Sequence, residues 1–141
     1  MPSEINFFCE GCSFILRNKT AIRHWIDHCI TLNKRKSGVI NVIFCRDSFL
    51  LKYNKKYLKH NTLTDIITFD YSENKTLSGD IFISIDRLCE NSKLLKTSLK
   101  DETHRVIIHG VLHLCGYKDK TPSDKARMTG AENKCLSLRT F

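Results

Sequence analysis

The sequence predicts an α/β (α+β) fold in which a small mixed β-sheet of about four strands packs against helices. In the first 85 residues, short segments rich in β-branched residues are interspersed with segments whose apolar residues recur every three or four positions. After these residues only helical patterns follow. A length of 141 residues is close to the commonest domain size, so we expect one domain over residues 1–141.

The first half of the chain predicts two strands and two helices in alternation. We expect a strand over residues 5–9. A helix follows in NKTAIRHWIDHCITLNKRK, whose apolar residues share one face and whose N-cap is Asn18. GVINVIFC predicts a buried strand, because it is rich in β-branched residues. Asp47 begins a second helix in DSFLLKYNKKYLK.

The second half predicts a hairpin and three helices. TDIITFDY and GDIFISI are strands joined by the polar SENKTLS turn. We expect Asp86 to cap the helix in RLCENSKLLK, and Ser98 with Asp101 to begin the next one, which runs through ETHRVIIHGVLHLCG. Thr121 followed by Pro122 is typical of a helix start. The predicted order is β-α-β-α-β-β-α-α-α.

The chain is basic, with a net charge of +8 from 23 lysines and arginines and 15 acidic residues. Such a surface attracts polyanions and raises their encounter rate. An ordinary lysine-rich surface is the alternative. The charge argues against a module that binds basic partners.

Compartment follows from what the sequence lacks. No apolar run approaches the roughly 20 residues of a membrane helix, and MPSEINFFCEGC has no signal-peptide pattern. We therefore expect a cytoplasmic protein with no membrane partner.

The seven cysteines have no framework spacing, so we expect them to be reduced thiols. Cys9 and Cys12 form one C-x-x-C without a second pair, which disfavours a zinc ribbon.

The most apolar predicted helix carries His109 and His113, four residues apart and so on one face. A buried imidazole without a partner costs about 1–3 kcal/mol, so it needs a hydrogen bond or a metal. Gly116 lets the chain turn back and brings Asp119 within reach. Two imidazoles and a carboxylate suit zinc, but they also suit iron, nickel or manganese. Two core histidines with an exposed aspartate are the alternative.

A metal at such a site lowers the pKa of bound water to about 7, which produces a nucleophile at neutral pH. Zinc peptidases carry a glutamate directly after the first histidine, where this chain has Gly110. The missing glutamate argues against a peptidase. From its size, we expect Gly110 to leave space at the metal for a bulky substrate such as a backbone phosphate.

HGVLHLCGYKD closely resembles the H-G-x-L-H-L-x-G-Y-D-H signature of the YbeY family of endoribonucleases. NKKYLKHNTLTDIITF and SGDIFIS are similar to two further family segments, in the same order. The resemblance implies a single-strand-specific, zinc-dependent endoribonuclease. Its implied role is maturation of the 3′ end of small-subunit ribosomal RNA and ribosome quality control, with single-stranded RNA, ribosomal RNA and the ribosome as partners. It also implies one Zn²⁺ at His109, His113 and position 119, with His109 in the catalytic centre.

The chain departs from the family signature at two sites. Asp119 stands where the family has a third histidine, and Lys118 precedes it in place of an aspartate. Leu58 follows Tyr57, where the family commonly has an arginine suited to clamp a phosphate. We expect the carboxylate to weaken zinc binding or to change the preferred metal.

Several other residues are weaker candidates. Lys56 or Lys59 could replace the arginine as a point charge, and His60 could contact RNA. Asp80 could orient a histidine ligand through a hydrogen bond, as metal sites normally require. His104 lies off the face of His109, so we expect it on the surface.

Three functional hypotheses follow. The first is a metal-dependent RNA hydrolase. The second is a zinc-stabilised ribosome-assembly factor that binds RNA without cutting it, favoured by Leu58 and the absent glutamate. The third is a small metallopeptidase, against which Gly110 counts. The sequence does not specify the oligomeric state.

Overall fold

The structure, a computed structural model, describes the backbone of residues 4–57 and 64–141 and the side chains of residues 4–54 and 64–141. The elements follow in the order β1 (Glu4–Cys9), α1 (Lys19–Leu32), β2 (Lys36–Cys45), α2 (Asp47–Tyr57), β3 (Ile66–Asp70), β4 (Thr76–Ser84), α3 (Ile85–Leu94), α4 (Leu99–Leu114) and α5 (Pro122–Ser137). The predicted order of strands and helices is confirmed. Among the helices described, none combines the length and the apolar character needed to cross a membrane.

The four described strands form one mixed sheet in the order β1-β2-β4-β3. Strand β2 pairs in parallel with both β1 and β4, whereas β3 runs antiparallel to β4. The antiparallel pair is the predicted hairpin, in which Phe69 lies opposite Asp80. Parallel neighbours need a crossover connection, and α1 supplies the one between β1 and β2. The predicted α+β architecture is therefore confirmed.

Helix α4 is the most buried helix and packs on β3, β4 and α1. Its apolar side chains enter the main core: Val106, Ile107, Ile108, Val111, Leu112 and Leu114. Gly110 faces the sheet, where an added Cβ would lie 2.8 Å from methyl groups of both Ile66 and Ile81. The expectation that Gly110 leaves space beside a metal is therefore wrong, because β3 and β4 fill that space.

The helix starts agree with the sequence in four of the five cases predicted by name. The Ser98 and Thr121 side chains accept hydrogen bonds from the third helical residue, as predicted. Asn18 is the N-cap of α1, as predicted, although its φ is 60° and its side chain makes no capping hydrogen bond. Helix α2 begins at Asp47, also as predicted. The N-cap of α3 is Ser84, while Asp86 lies in the first turn. The Asp86 carboxylate instead accepts a hydrogen bond from the backbone N–H of Asp47, at 2.9 Å.

His104 is buried, with 3% of its surface exposed, so the expectation of a surface position is wrong. Its ring packs against Trp25 and Phe141, which cover this side of α4. Burial, together with the nearby positive charge of Arg139, lowers the pKa of His104 to about 4. The neutral imidazole accepts a hydrogen bond from Arg139 at 2.8 Å.

Candidate metal centre

Helix α4 places His109 and His113 one turn apart, with their Nε2 atoms 3.0 Å from each other. The two rings are nearly perpendicular, at 80°. Each side chain is about a fifth exposed, at 22% and 23%, in a helix whose flanking apolar residues are buried. The pair therefore forms the solvent-facing edge of an otherwise buried helix.

The turn after α4 brings the third group to the pair. The N–H of Gly116 donates to the carbonyl of His113 and the N–H of Tyr117 donates to that of Leu112, both at 3.0 Å. This pattern is a Schellman motif, and its left-handed position is Gly116, with a φ of 106°. The chain then reverses, and Oδ2 of Asp119 lies 3.5 Å from Nε2 of His109 and 3.3 Å from Nε2 of His113.

The three atoms fit a small metal ion. A tetrahedral zinc site with ligand distances of about 2.0–2.1 Å has neighbouring ligand atoms roughly 3.3–3.4 Å apart. The separations here are 3.0, 3.3 and 3.5 Å, so the donors need little movement to close on such an ion. Among the side chains of residues 4–54 and 64–141, His109, His113 and Asp119 are the one group of three that could hold a metal.

The remaining ring nitrogens define the tautomers. Nδ1 of His109 lies 2.5 Å from Oε2 of Glu132, and Nδ1 of His113 lies 3.0 Å from the carbonyl oxygen of Tyr117. Ionised carboxylates and carbonyls only accept, so both Nδ1 atoms carry the proton and donate it. The neutral rings then turn two Nε2 lone pairs toward each other and toward a carboxylate. Only a cation, either a proton or a metal, makes that arrangement favourable.

Glu132 belongs to a larger ionic network. Its side chain is 6% exposed, and its Oε1 lies 3.6 Å from Nη1 of Arg105. Nη2 of Arg105 donates to Oε1 of Glu102 at 2.5 Å. Burial raises the pKa of Glu102, although Arg105 opposes the shift. Arg105 lies one turn before His109, so the same face of α4 carries the guanidinium and both histidine ligands.

The carboxylates also act on His109. Burial disfavours its charged form, but the carboxylate of Glu132, with smaller contributions from Asp65 and Asp119, raises the pKa of His109 above its ordinary value. Protons therefore compete for the Nε2 lone pair at a higher pH than at an ordinary histidine, since a metal binds the neutral ring.

These groups open onto a cleft of about 500 Å³ between α3, α4 and α5. His109 and Asp119 lie in its wall beside the cations Arg105 and Lys125, and the carboxylates of Asp65, Glu102 and Glu132 also line it. Apolar side chains at the end of α3 form another part of the wall. The cleft thus combines the candidate metal ligands, charges of both signs and apolar surface.

The structure brings together the three predicted ligands but separates the other candidates from them. Asp80 accepts a hydrogen bond from Nδ2 of Asn41 at 3.0 Å, and neither histidine is among its described contacts. Glu132 and the Tyr117 carbonyl hold the rings instead. Lys59 and His60 lie outside the described residues, as does the side chain of Lys56.

Sequence reasoning missed Glu132, Glu102 and Arg105. Glu132 is separated from His109 by 23 positions and stands in a helix of mixed composition, where nothing distinguishes it from a surface glutamate. Arg105 could have been predicted from the sequence, because it stands four residues before His109, at the same spacing that separates the two histidines. This spacing places all three side chains on one face of the helix.

Comparisons with known proteins give one consistent family name. A family model described as Endoribonuclease YbeY matches residues 13–139. A Cytophaga hutchinsonii protein named Endoribonuclease YbeY is 48% identical over 138 residues, covering 97% of this chain and 96% of the relative. One of the same name from Flavobacterium psychrophilum is 46% identical over 125 residues, or 89% of each chain.

A solved structure shares the fold. The solution structure of TM1509 from Thermotoga maritima superposes with a TM-score of 0.64 at 20% sequence identity. The alignment covers 94% of this chain and 87% of that one. At this identity the likeness concerns the fold.

Proposed function

Because this chain belongs to the YbeY endoribonuclease family, we propose that it cleaves RNA with one zinc ion held by His109, His113 and Asp119. The observation that carries the proposal is the convergence of two Nε2 lone pairs and one carboxylate oxygen within 3.5 Å in an open cleft. A bound zinc would supply an activated water and neutralise charge developing on a phosphodiester.

The protein's own groups prepare that chemistry. Glu132 and the Tyr117 carbonyl hold the two imidazoles in the tautomer that leaves Nε2 free. Asp119 adds a negative charge to the ligand set, which favours cation binding. We assign Lys125 to a phosphate that flanks the scissile bond, because it lines the cleft and supplies a positive charge that Leu58 does not. Arg105 also lines the cleft, but it is paired with Glu102 and Glu132.

The proposed substrate is single-stranded RNA, at the 3′ end of small-subunit ribosomal RNA, with a role in ribosome quality control. The net charge of +8 supports a polyanionic partner, and the family supports ribosomal RNA processing. The partner would be the ribosome, the compartment the cytoplasm, and residues 1–141 would act as one domain. Lys56, Lys59 and His60 remain proposed RNA contacts, and Asp80 a proposed supporting residue.

A second candidate function is RNA binding in ribosome assembly without cleavage. Asp119 favours it, because an anionic oxygen ligand lowers the Lewis acidity of a metal relative to a third imidazole. The peptidase alternative has no such support. Gly110 stands at the position of the peptidase glutamate and faces the sheet, away from the cleft.

Cleavage of a single-stranded RNA oligonucleotide, with and without a chelator, tests the proposal. The metal-loaded protein should cut, and both the chelator and His109→Ala should abolish cutting. His28→Ala is the matched control, since His28 is exposed on α1. Cleavage by His109→Ala at the parental rate would contradict the proposal. RNA binding that weakens steeply with salt, without metal-dependent cleavage, would favour the assembly factor.

A further inference from the structure

Two leucines at the end of α3 are unusually exposed. Leu94 is the last residue of the helix and Leu95 is its C-cap, and they are 71% and 54% exposed. Lys96, with a φ of 54°, then turns the chain toward α4. Neither leucine belongs to the hydrophobic core, so folding does not account for apolar side chains at these positions.

Both leucines line the same cleft as His109 and Asp119. The surface therefore continues from the proposed metal ligands to an apolar rim. An exposed apolar surface beside a concave polar site is typical of a place where a ligand is bound.

The charges around the rim indicate the class of ligand. Lys93, Lys96 and Lys100 are all exposed and flank the two leucines along the chain. On the opposite side of the cleft Lys125 adds a further positive charge, whereas Arg105 is paired with the carboxylates of Glu102 and Glu132. Apolar surface between cations matches a nucleotide, whose base has an apolar face and whose backbone carries phosphates. An apolar peptide would gain nothing from the lysines.

We propose that Leu94 and Leu95 form a platform on which one unpaired base of the RNA packs, next to the phosphate at the metal centre. The inference rests on the proposed nuclease function and deepens it by naming residues that select single strands. In a duplex both faces of a base are covered by stacked neighbours, so only an unpaired nucleotide can offer a face to the leucines. Any base has such a face, so the platform selects strandedness without selecting sequence.

Fluorescence anisotropy with an end-labelled single-stranded RNA of mixed sequence and the zinc-loaded protein tests the platform. The double substitution Leu94→Ser with Leu95→Ser should raise the Kd about fivefold, because it removes apolar contact with the base. Leu32→Ser is the matched control: Leu32 is the last residue of α1, is 48% exposed and does not line the cleft. This control should leave the Kd within about twofold of the parent.

A second RNA separates base packing from a general effect. An oligonucleotide with an abasic site at the nucleotide next to the cleaved bond should bind the parent more weakly, and the double leucine variant should then add nothing further. Equal Kd values for the double variant and the control, or full additivity with the abasic site, would overturn the inference. So would a parent that binds no single-stranded RNA. A parent that binds but does not cut would refute the nuclease proposal while the Kd values still decide the platform.

Discussion

Replacing Glu132 by glutamine should weaken metal binding without unfolding the protein. The carboxylate accepts a hydrogen bond from Nδ1 of His109 at 2.5 Å and is almost fully buried. Glutamine keeps the size and can still accept that bond through its amide oxygen, but it removes the negative charge. The imidazole of His109 is then a poorer donor to a metal, and its tautomer is held less firmly.

The magnitude follows from the kind of hydrogen bond that is lost. A bond to a charged group contributes about 1.5–3 kcal/mol and one between neutral groups about 0.5–1.5 kcal/mol, a difference of about 1–1.5 kcal/mol. Since about 1.4 kcal/mol is tenfold in an equilibrium constant, zinc affinity should fall roughly tenfold. This value lies at the lower end of the 10–100-fold losses that are typical when such a partner of a metal ligand is changed.

Competition with a chromophoric chelator at pH 7.5 measures the zinc affinity directly. Glu90→Gln is the matched control, because Glu90 is exposed on α3 and its substitution removes the same charge from the molecule. Circular dichroism verifies that both variants are folded. If Glu132→Gln and Glu90→Gln bind zinc as tightly as the parent, Glu132 has no role in preparing His109 and the reasoning is refuted.

Three further predictions concern ligand choice, packing and pH. Asp119→His should raise the ratio of bound zinc to bound manganese, because imidazole suits zinc better than a carboxylate does; an unchanged ratio in metal analysis would contradict this. Gly110→Ala should lower the free energy of unfolding in urea by about 1–3 kcal/mol, since its Cβ would lie 2.8 Å from two isoleucine methyl groups. Gly130→Ala, with no atom within 4 Å of the added Cβ, should raise it by about 0.5–1 kcal/mol, and equal effects of the two would refute the packing argument. His104 has a folded-state pKa of about 4, so the unfolded chain, at about 6.5, takes up its proton first as the pH falls. Between pH 7 and pH 4.5 this should cost the parent about 2–3 kcal/mol of stability, and a His104→Gln variant with the same pH slope would contradict it.

The parts of the fold that depend on local chemistry could be predicted from the sequence. Ser98 and Thr121 begin helices because their hydroxyls satisfy backbone donors nearby, and that pattern is written in a few adjacent residues. The spacing of His109, Gly116 and Asp119 is local in the same sense, since one helix and one Schellman turn bring the three ligand atoms together. Local patterns therefore located the site.

The supporting groups depend on tertiary packing and could not be predicted. Glu132 reaches His109 only because α5 packs against α4, and no residue near Glu132 in the sequence specifies that packing. His104 was misplaced for a related reason. A helix buried on several sides does not reveal which of its polar residues another element covers, and here Trp25 and Phe141 cover this one.

The division of the centre between two helices has a consequence for how it could fail. His109, His113 and Asp119 lie on α4 and the turn after it, whereas Glu132, which accepts the hydrogen bond from Nδ1 of His109, lies on α5. A local opening that separates α5 from α4 would therefore keep the three ligands together and remove the carboxylate that orients one of them.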